Sequence, residues 1–148
     1  MHVQIELSLN GALYEQEQTP ELEQYEAFQR DVPVARGWTP FRTEWSIYDD
    51  ASLVGGQVDA LYVDDAGCLH MLDWKRSSKD LSPTAKNWGR YGRAGGPLAH
   101  VKDTPFHRYS VQLNLYKHIL ENHYPGLGPI ASMHLVQFHP AQETRPGY

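Results

Sequence analysis

The stretch that decides the fold is GGQVDALYVDDAGCLHMLDWK, residues 55–75. Two apolar runs are joined by a short polar turn with Gly67 near its end, which is typical of a β-hairpin. Because successive strand residues point to opposite faces, Asp73 and Lys75 lie on one face of the second strand and Trp74 on the other. Such a pair is either a strand end fraying into a charged loop or part of a site, and the D-x-K pattern alone does not distinguish them.

The turn also sets the register of the hairpin. If residues 65–67 form a three-residue loop with a left-handed glycine, Asp59 lies directly opposite Asp73, with Cβ atoms about 4.5–5.5 Å apart. Two ionised carboxylates about 5 Å apart repel by about 3 kcal/mol at an effective dielectric near 20. Protonation of one carboxylate or a bound divalent cation relieves this repulsion, and Lys75 contributes a single charge. A register one residue off would place Asp59 on the other face.

Five further segments flank this hairpin. The segment 19–32 begins with a threonine N-cap and a proline and continues with an apolar helical stripe, so it predicts a helix. The opening segment, 1–11, alternates like a strand and also fits a short helix. The others are a strand at 38–49, with residues 41, 43, 45 and 47 on one face and Glu44 on the other, a helix at 104–124 and a strand at 130–139. This order predicts an α/β fold in which helices flank a central mixed sheet.

The length and composition fit one domain. The 148 residues are enough for a proper core, and no apolar run approaches the length of a membrane span. The single cysteine, Cys68, excludes an intramolecular disulfide and fits a reducing compartment. We therefore expect one intracellular domain over residues 1–148, with no membrane partner.

Charge is distributed unevenly along the chain, although the formal net charge is only −5. Before Arg30 there are six glutamates and no lysine or arginine, whereas the segment 75–117 has nine basic residues and two aspartates. The field at a surface depends on local charge rather than on the total. The basic segment therefore favours a phosphate-rich partner, or it is an ordinary solvated loop.

Residues 76–104 are expected to form a basic, irregular insertion, since a loop of this length in a compact domain is usually functional or disordered. Within it Trp88 and Tyr91 lie among the cations Arg90 and Arg93. Aromatic residues interleaved with cations suit stacking on unpaired bases and contact with phosphates. Alternatively, these aromatic side chains pack back on the domain.

Three motifs in order resemble the RecB-like branch of the PD-(D/E)XK nuclease superfamily. They are the G-x-x-D of Gly56–Asp59, the D-x-K of Asp73–Lys75 and the Q-x-x-x-Y of Gln112–Tyr116. Glu44 matches an acidic residue that this family often has on the preceding strand, and His2–Glu6 matches its N-terminal H-x-x-x-E pattern. The last match favours a helix for the opening segment. It also suggests a restriction-endonuclease-like domain trimmed from a longer chain, whose other domains would be its partners.

The resemblance implies a metal-dependent phosphodiesterase. Asp59 and Asp73 would bind Mg²⁺ or Mn²⁺ together with the backbone carbonyl of Trp74, and Lys75 would assist the attacking water. The further residues expected in the catalytic or metal site are Glu44, Gln112 and His2. The residues expected to contact nucleic acid are Tyr116, Arg108, Arg76, Lys79, Arg90 and Arg93.

Three functional interpretations follow from these observations. The first is a metal-dependent nuclease acting on nucleic acid, with DNA favoured over RNA. The second is a non-catalytic nucleic-acid-binding or scaffold domain that retained the fold, although the intact set of two acids and a lysine argues against such decay. The third is an unrelated α/β protein with an accidental D-x-K, in which Asp59 and Asp73 do not converge.

Overall fold

The computed structural model describes residues 1–12, 19–86, 89 and 92–140 of the chain. The helices and strands are α1 His2–Leu9, α2 Pro20–Asp31, β1 Thr39–Asp49, β2 Val54–Val63, β3 Leu69–Arg76, α3 Pro105–His123 and β4 Ile130–Phe138. The strands lie in the order β1-β2-β3-β4, with β1, β2 and β3 antiparallel and β4 parallel to β3. The predicted α/β fold with a central mixed sheet is therefore confirmed. None of the helices in these ranges combines the length and the apolar character needed to cross a membrane.

The opening segment is a helix, as the H-x-x-x-E pattern favoured, and the strand alternative is wrong. Helical spacing brings Met1, Ile5 and Leu9 to one side, where Ile5 is buried and the other two pack against the same apolar cluster. Strand alternation would also have put these three residues on one face, but it would have added Val3, which is exposed. The turn after the helix places Gly11 at a φ of 67°, in the left-handed region that favours glycine.

Apolar side chains cover both faces of the sheet. On one face α1 and α2 pack against β3, where the edge of the Tyr25 ring meets Trp74. The other face is covered by α3 through its buried side chains, which are Leu113, Tyr116, Ile119 and Leu120. Strand β3 alternates between these clusters, and Met71 belongs to the α3 side. Asp73 and Lys75 continue the Met71 side and therefore emerge on the face that α3 covers.

The hairpin of β2 and β3 has the register that its turn predicted. Val63 pairs with Leu69 across a turn in which Gly67 has a φ of 78°. The pairing continues to Ala60 and Leu72. The neighbouring position away from the turn is Asp59 on β2 and Asp73 on β3. The turn chemistry of residues 64–68 thus brings the two acids to the point where regular pairing of the strands ends.

In β1 and β2, the regular alternation of side chains between the two faces of the sheet is interrupted halfway along each strand. Trp45 and Val58 pack on the α3 side of the sheet, whereas Ala60 packs on the α1 and α2 side and Thr43 bonds to the residue that follows α1. The predicted single face along β1 is therefore wrong. The interruption in β1 falls at Glu44, whose backbone has a φ of 46°, because a left-handed residue interrupts the alternation of a strand.

The segment between β3 and α3 has little regular structure in its described residues. It contains a short 3₁₀ turn at Gly96–Leu98 and an isolated backbone bridge between Arg93 and Lys102. Leu81 and Ala85 are buried, so the first part of this segment packs onto the domain.

Candidate metal centre

Two buried aspartates stand where the hairpin pairing ends. Asp59 and Asp73 are 9% and 3% exposed, and burial is the main reason why the pKa of each carboxyl group is raised. The charge of Asp59 raises the pKa of Asp73 further. The Asp59 carboxylate accepts a hydrogen bond from the backbone amide of Trp74 at 2.7 Å, and this bond lowers the pKa of Asp59. The two carboxyl groups therefore lie close enough to interact electrostatically.

Asp59 also belongs to a cluster of three potential metal ligands. The Nδ1 atom of His2 lies 3.6 Å from Oε1 of Glu44 and 3.7 Å from Oδ1 of Asp59. One ligand atom from each of the three residues lies within 4.8 Å of the other two. The His2 side chain is 42% exposed, so the cluster is open to solvent at the start of α1. A set of carboxylate oxygens with one imidazole suits a divalent cation such as Mn²⁺.

The backbone of β1 turns Glu44 towards this cluster. A φ of 46° is sparsely populated by residues other than glycine, and conformations of this kind cost about 1–3 kcal/mol. The Gln57 amide donates to Oε2 of Glu44 at 2.7 Å and is 3.4 Å from its backbone carbonyl oxygen. Gln57 therefore holds both ends of Glu44 in the orientation that faces His2.

Lys75 forms an ion pair with Asp73, with 2.7 Å between Nζ and Oδ2. Lys75 lowers the pKa of Asp73 through its hydrogen bond and its charge, against the larger opposite effect of burial. The charges of Asp59 and Glu44 add to the negative charge around this single ammonium. An excess of carboxylates over cations fits a site for a hard cation.

The G-x-x-D motif of β2 and the Q-x-x-x-Y motif of α3 meet at Gly56. The ring of Tyr116 lies so close to this glycine that a Cβ atom would clash with it. The Gln112 amide donates to the Tyr116 hydroxyl at 2.8 Å, and Tyr116 is only 8% exposed. Tyr116 therefore holds α3 on β2, three residues before Asp59. The expected roles of Gln112 in catalysis and of Tyr116 in nucleic-acid binding stay predictions.

The described basic residues expected to contact nucleic acid are exposed and lie outside this cluster. Arg76 pairs with Glu21, and the Arg108 Nε atom lies 3.4 Å from Oδ1 of Asp103. Arg93 donates to the backbone carbonyl of His100 at 3.1 Å. Lys79 is exposed. Arg90 lies outside the described residues, as do Trp88 and Tyr91, and the nucleic-acid role of this whole set stays a prediction.

Two residues at the site were not singled out for it from the sequence. Gln57, which holds Glu44, lies inside the G-x-x-D motif but at one of its unspecified positions. Tyr109 places the centre of its ring 4.7 Å from the Lys75 ammonium, and it shares the helical spacing of the buried Leu113, Tyr116 and Leu120. It is only half-buried. The available signal was its position three residues before Gln112, which puts both on one side of the helix.

Two histidines of the sheet, His70 and His134, belong to a hydrogen-bonded group at the other end of β3. His70 lies between Asp64 at 3.2 Å and the Ser132 hydroxyl at 2.7 Å, and that hydroxyl also bonds to His134 at 2.7 Å. The ring of Trp38 stacks on His70 at 3.7 Å. His70 is buried, and its partners give it a structural role in the sheet.

Comparisons with known proteins give one structural likeness. No protein-family model matches the chain, and no curated protein matches it. Among solved structures, the chain is similar to the crystal structure of a repair endonuclease from Pyrococcus abyssi, with 20% sequence identity and a TM-score of 0.44. The similarity covers 84% of this chain and 40% of that chain. This chain therefore corresponds to less than half of the endonuclease chain.

Proposed function

We propose that this domain is a metal-dependent nuclease that hydrolyses phosphodiester bonds of nucleic acid, with DNA favoured over RNA. The observation that carries the proposal is the meeting of His2, Glu44 and Asp59 within 4.8 Å, beside the ion pair of Asp73 and Lys75. Three potential ligands thus lie together at the end of the β2–β3 hairpin. Asp73 is not one of the three, but its carboxylate and the Lys75 ammonium both interact electrostatically with this group. The three motifs that resemble the RecB-like branch support the same assignment.

The electrostatics of the cluster favour a bound cation. Burial raises the pKa of both Asp59 and Asp73, so their ionised forms are costly in the metal-free protein. The proximity of Glu44 raises the pKa of Asp59 further, and Lys75 supplies only one positive charge. A divalent ion offsets this excess of negative charge, which a single ammonium does not.

In this proposal Mg²⁺ or Mn²⁺ is held by Asp59 and Asp73, with Glu44 and His2 as further ligands. The Trp74 carbonyl is included on the resemblance alone. When bound, such an ion lowers the pKa of a water molecule and neutralises charge on a phosphate group.

The protein's own side chains supply the remaining functions. The Lys75 side chain is 19% exposed, and its ammonium can therefore orient a water molecule or stabilise charge that develops on a phosphate oxygen. Gln112 and Tyr116 keep α3 against the strand that bears Asp59. Exposed Arg76 at the end of β3, with Lys79 and other cations of the segment that follows, provides a surface for the phosphate backbone.

The test is cleavage of labelled single- and double-stranded DNA and RNA with Mg²⁺ or Mn²⁺, beside EDTA. Asp73→Asn removes one ligand charge at constant size, and Asp50→Asn is the matched control because Asp50 is an exposed acid in the turn after β1. We expect metal-dependent cleavage that Asp73→Asn abolishes and Asp50→Asn leaves intact. A folded domain that neither cleaves nor binds Mn²⁺ would instead support the non-catalytic nucleic-acid-binding or scaffold alternative.

A further inference from the structure

Two groups hold the Lys75 ammonium. On one side Nζ lies 2.7 Å from Oδ2 of Asp73, and on the other it lies over the ring of Tyr109 at 4.7 Å from the centroid. Tyr109 is on the second turn of α3, and the ion pair is on β3. The ammonium therefore bridges the strand that bears the D-x-K motif and the helix that bears the Q-x-x-x-Y motif.

We propose that Tyr109 is a positioning residue that holds the Lys75 ammonium at the metal centre through the face of its ring, an inference that rests on the proposed nuclease function. None of the three matching motifs includes Tyr109. The residue acts through Lys75 and not on the substrate.

The flexibility of lysine gives the reason for such a residue. The side chain has a flexible four-carbon stem that loses rotamer entropy when it is fixed, and one carboxylate fixes the ammonium in one direction only. A ring face attracts a cation through its negative quadrupole, more strongly when the cation is partly removed from water. The Lys75 side chain is 19% exposed, so it is in the range where this attraction is effective.

The surroundings of Tyr109 argue against a simple packing role. The apolar clusters among the described residues include Leu113, Tyr116 and Leu120 of the same helix stripe, but not Tyr109. Its side chain is half-buried. Among the described residues, the contact recorded for this ring is the one with Lys75.

Three variants separate the ring from the hydroxyl and from general damage to α3. Tyr109→Phe keeps the ring face, Tyr109→Leu removes it, and Phe106→Leu is the matched control. Phe106 lies one turn earlier, where its ring contacts His107. We expect Tyr109→Leu to lower kcat about tenfold with little change in KM, as the loss of one cation–π contact implies. Tyr109→Phe should stay within about twofold of the parent, and Phe106→Leu should be unchanged.

The same substitution in a Lys75→Met background tests whether Tyr109 acts through the lysine. If it does, Tyr109→Leu has no further effect once the ammonium is gone, since coupled residues are not additive. An equal loss in both backgrounds would overturn the proposal, because it would show a role that does not involve Lys75. A Tyr109→Phe variant as impaired as Tyr109→Leu would also overturn it.

A spectroscopic measurement is independent of cleavage. The ε-methylene protons of Lys75 should show an upfield ring-current shift in the parent and in Tyr109→Phe, and lose it in Tyr109→Leu. Unchanged Lys75 shifts in Tyr109→Leu would overturn the proposed contact. If the parent protein cleaves nothing yet shows the shift, the nuclease assignment fails and the placement of Lys75 by Tyr109 is retained.

Discussion

The ring of Tyr116 lies directly on Gly56, so that β2 and α3 approach more closely than any side chain at position 56 would allow. Two motifs separated by more than fifty residues in sequence are thereby fixed against each other. The strand continues from this contact to Asp59, and the helix turn before Tyr116 bears Gln112. The glycine therefore sets the distance between the helix and the strand that presents the acids.

We expect Gly56→Ala to destabilise the protein by about 1–3 kcal/mol, the usual cost of forcing extra volume into a packed contact. Urea unfolding measures this change. Gly95→Ala is the matched control, because Gly95 has an ordinary φ of −102° and a Cβ there meets nothing within 4 Å. Equal stability of the two variants would contradict the proposed role of the close approach.

The hairpin was predictable from sequence because its information is local. A left-handed glycine in a three-residue turn fixes the register, and the two-residue period of a strand then fixes which side chains share a face. Both rules hold from Ala60 to Leu72, as the observed pairing shows. They also place the two aspartates on neighbouring strands just beyond this pairing, where the charge of Asp59 raises the pKa of Asp73.

The placement of Glu44 was not predictable in detail. The sequence put Glu44 on the polar face of a regular strand, but β1 exchanges faces there through a left-handed residue. Glutamate gives no local signal for that conformation, which persists because tertiary contacts with Gln57 and His2 favour it. The same limit applies to Tyr109, since a half-buried tyrosine and a core tyrosine have the same helical spacing.

The amide of Gln57 should support metal affinity through Glu44. We expect Gln57→Leu to weaken Mn²⁺ binding about tenfold, because partners that orient a ligand commonly contribute that much. Isothermal titration with Mn²⁺ measures the effect. Asn114→Leu is the control, since Asn114 is also an exposed amide that bonds to a backbone carbonyl, but on α3. Unaltered Mn²⁺ affinity in Gln57→Leu would show that Glu44 needs no such support.

The left-handed backbone of Glu44 should make the metal-free protein less stable than a variant with glycine at this position. Glu44→Gly relieves this conformation and removes a charge that raises the pKa of Asp59. We expect the free energy of unfolding in EDTA to rise by about 0.5–1 kcal/mol and Mn²⁺ affinity to fall. Urea unfolding and calorimetric titration of the same sample measure the two effects.

Leu53 provides the matched control for this prediction. It has a φ of 54° and is 89% exposed, so Leu53→Gly relieves the same kind of backbone conformation far from any ligand. We expect a similar gain in stability with no change in Mn²⁺ affinity. A Glu44→Gly variant that is less stable than the parent would mean that the Glu44 contacts outweigh its backbone strain.

The contribution of the two buried aspartates to stability without metal should fall as the pH rises. The pKa values of Asp59 and Asp73 are raised by burial above the ordinary 3.8, so the folded protein binds more protons than the unfolded chain between that value and the raised ones. Unfolding in EDTA from pH 3.5 upwards should therefore show stability lost through this window. Asp73→Asn should flatten the dependence. Saturating Mn²⁺ should reverse it, because the ion binds the ionised carboxylates, and a parent whose pH dependence is the same with and without Mn²⁺ would show that these acids do not bind the metal.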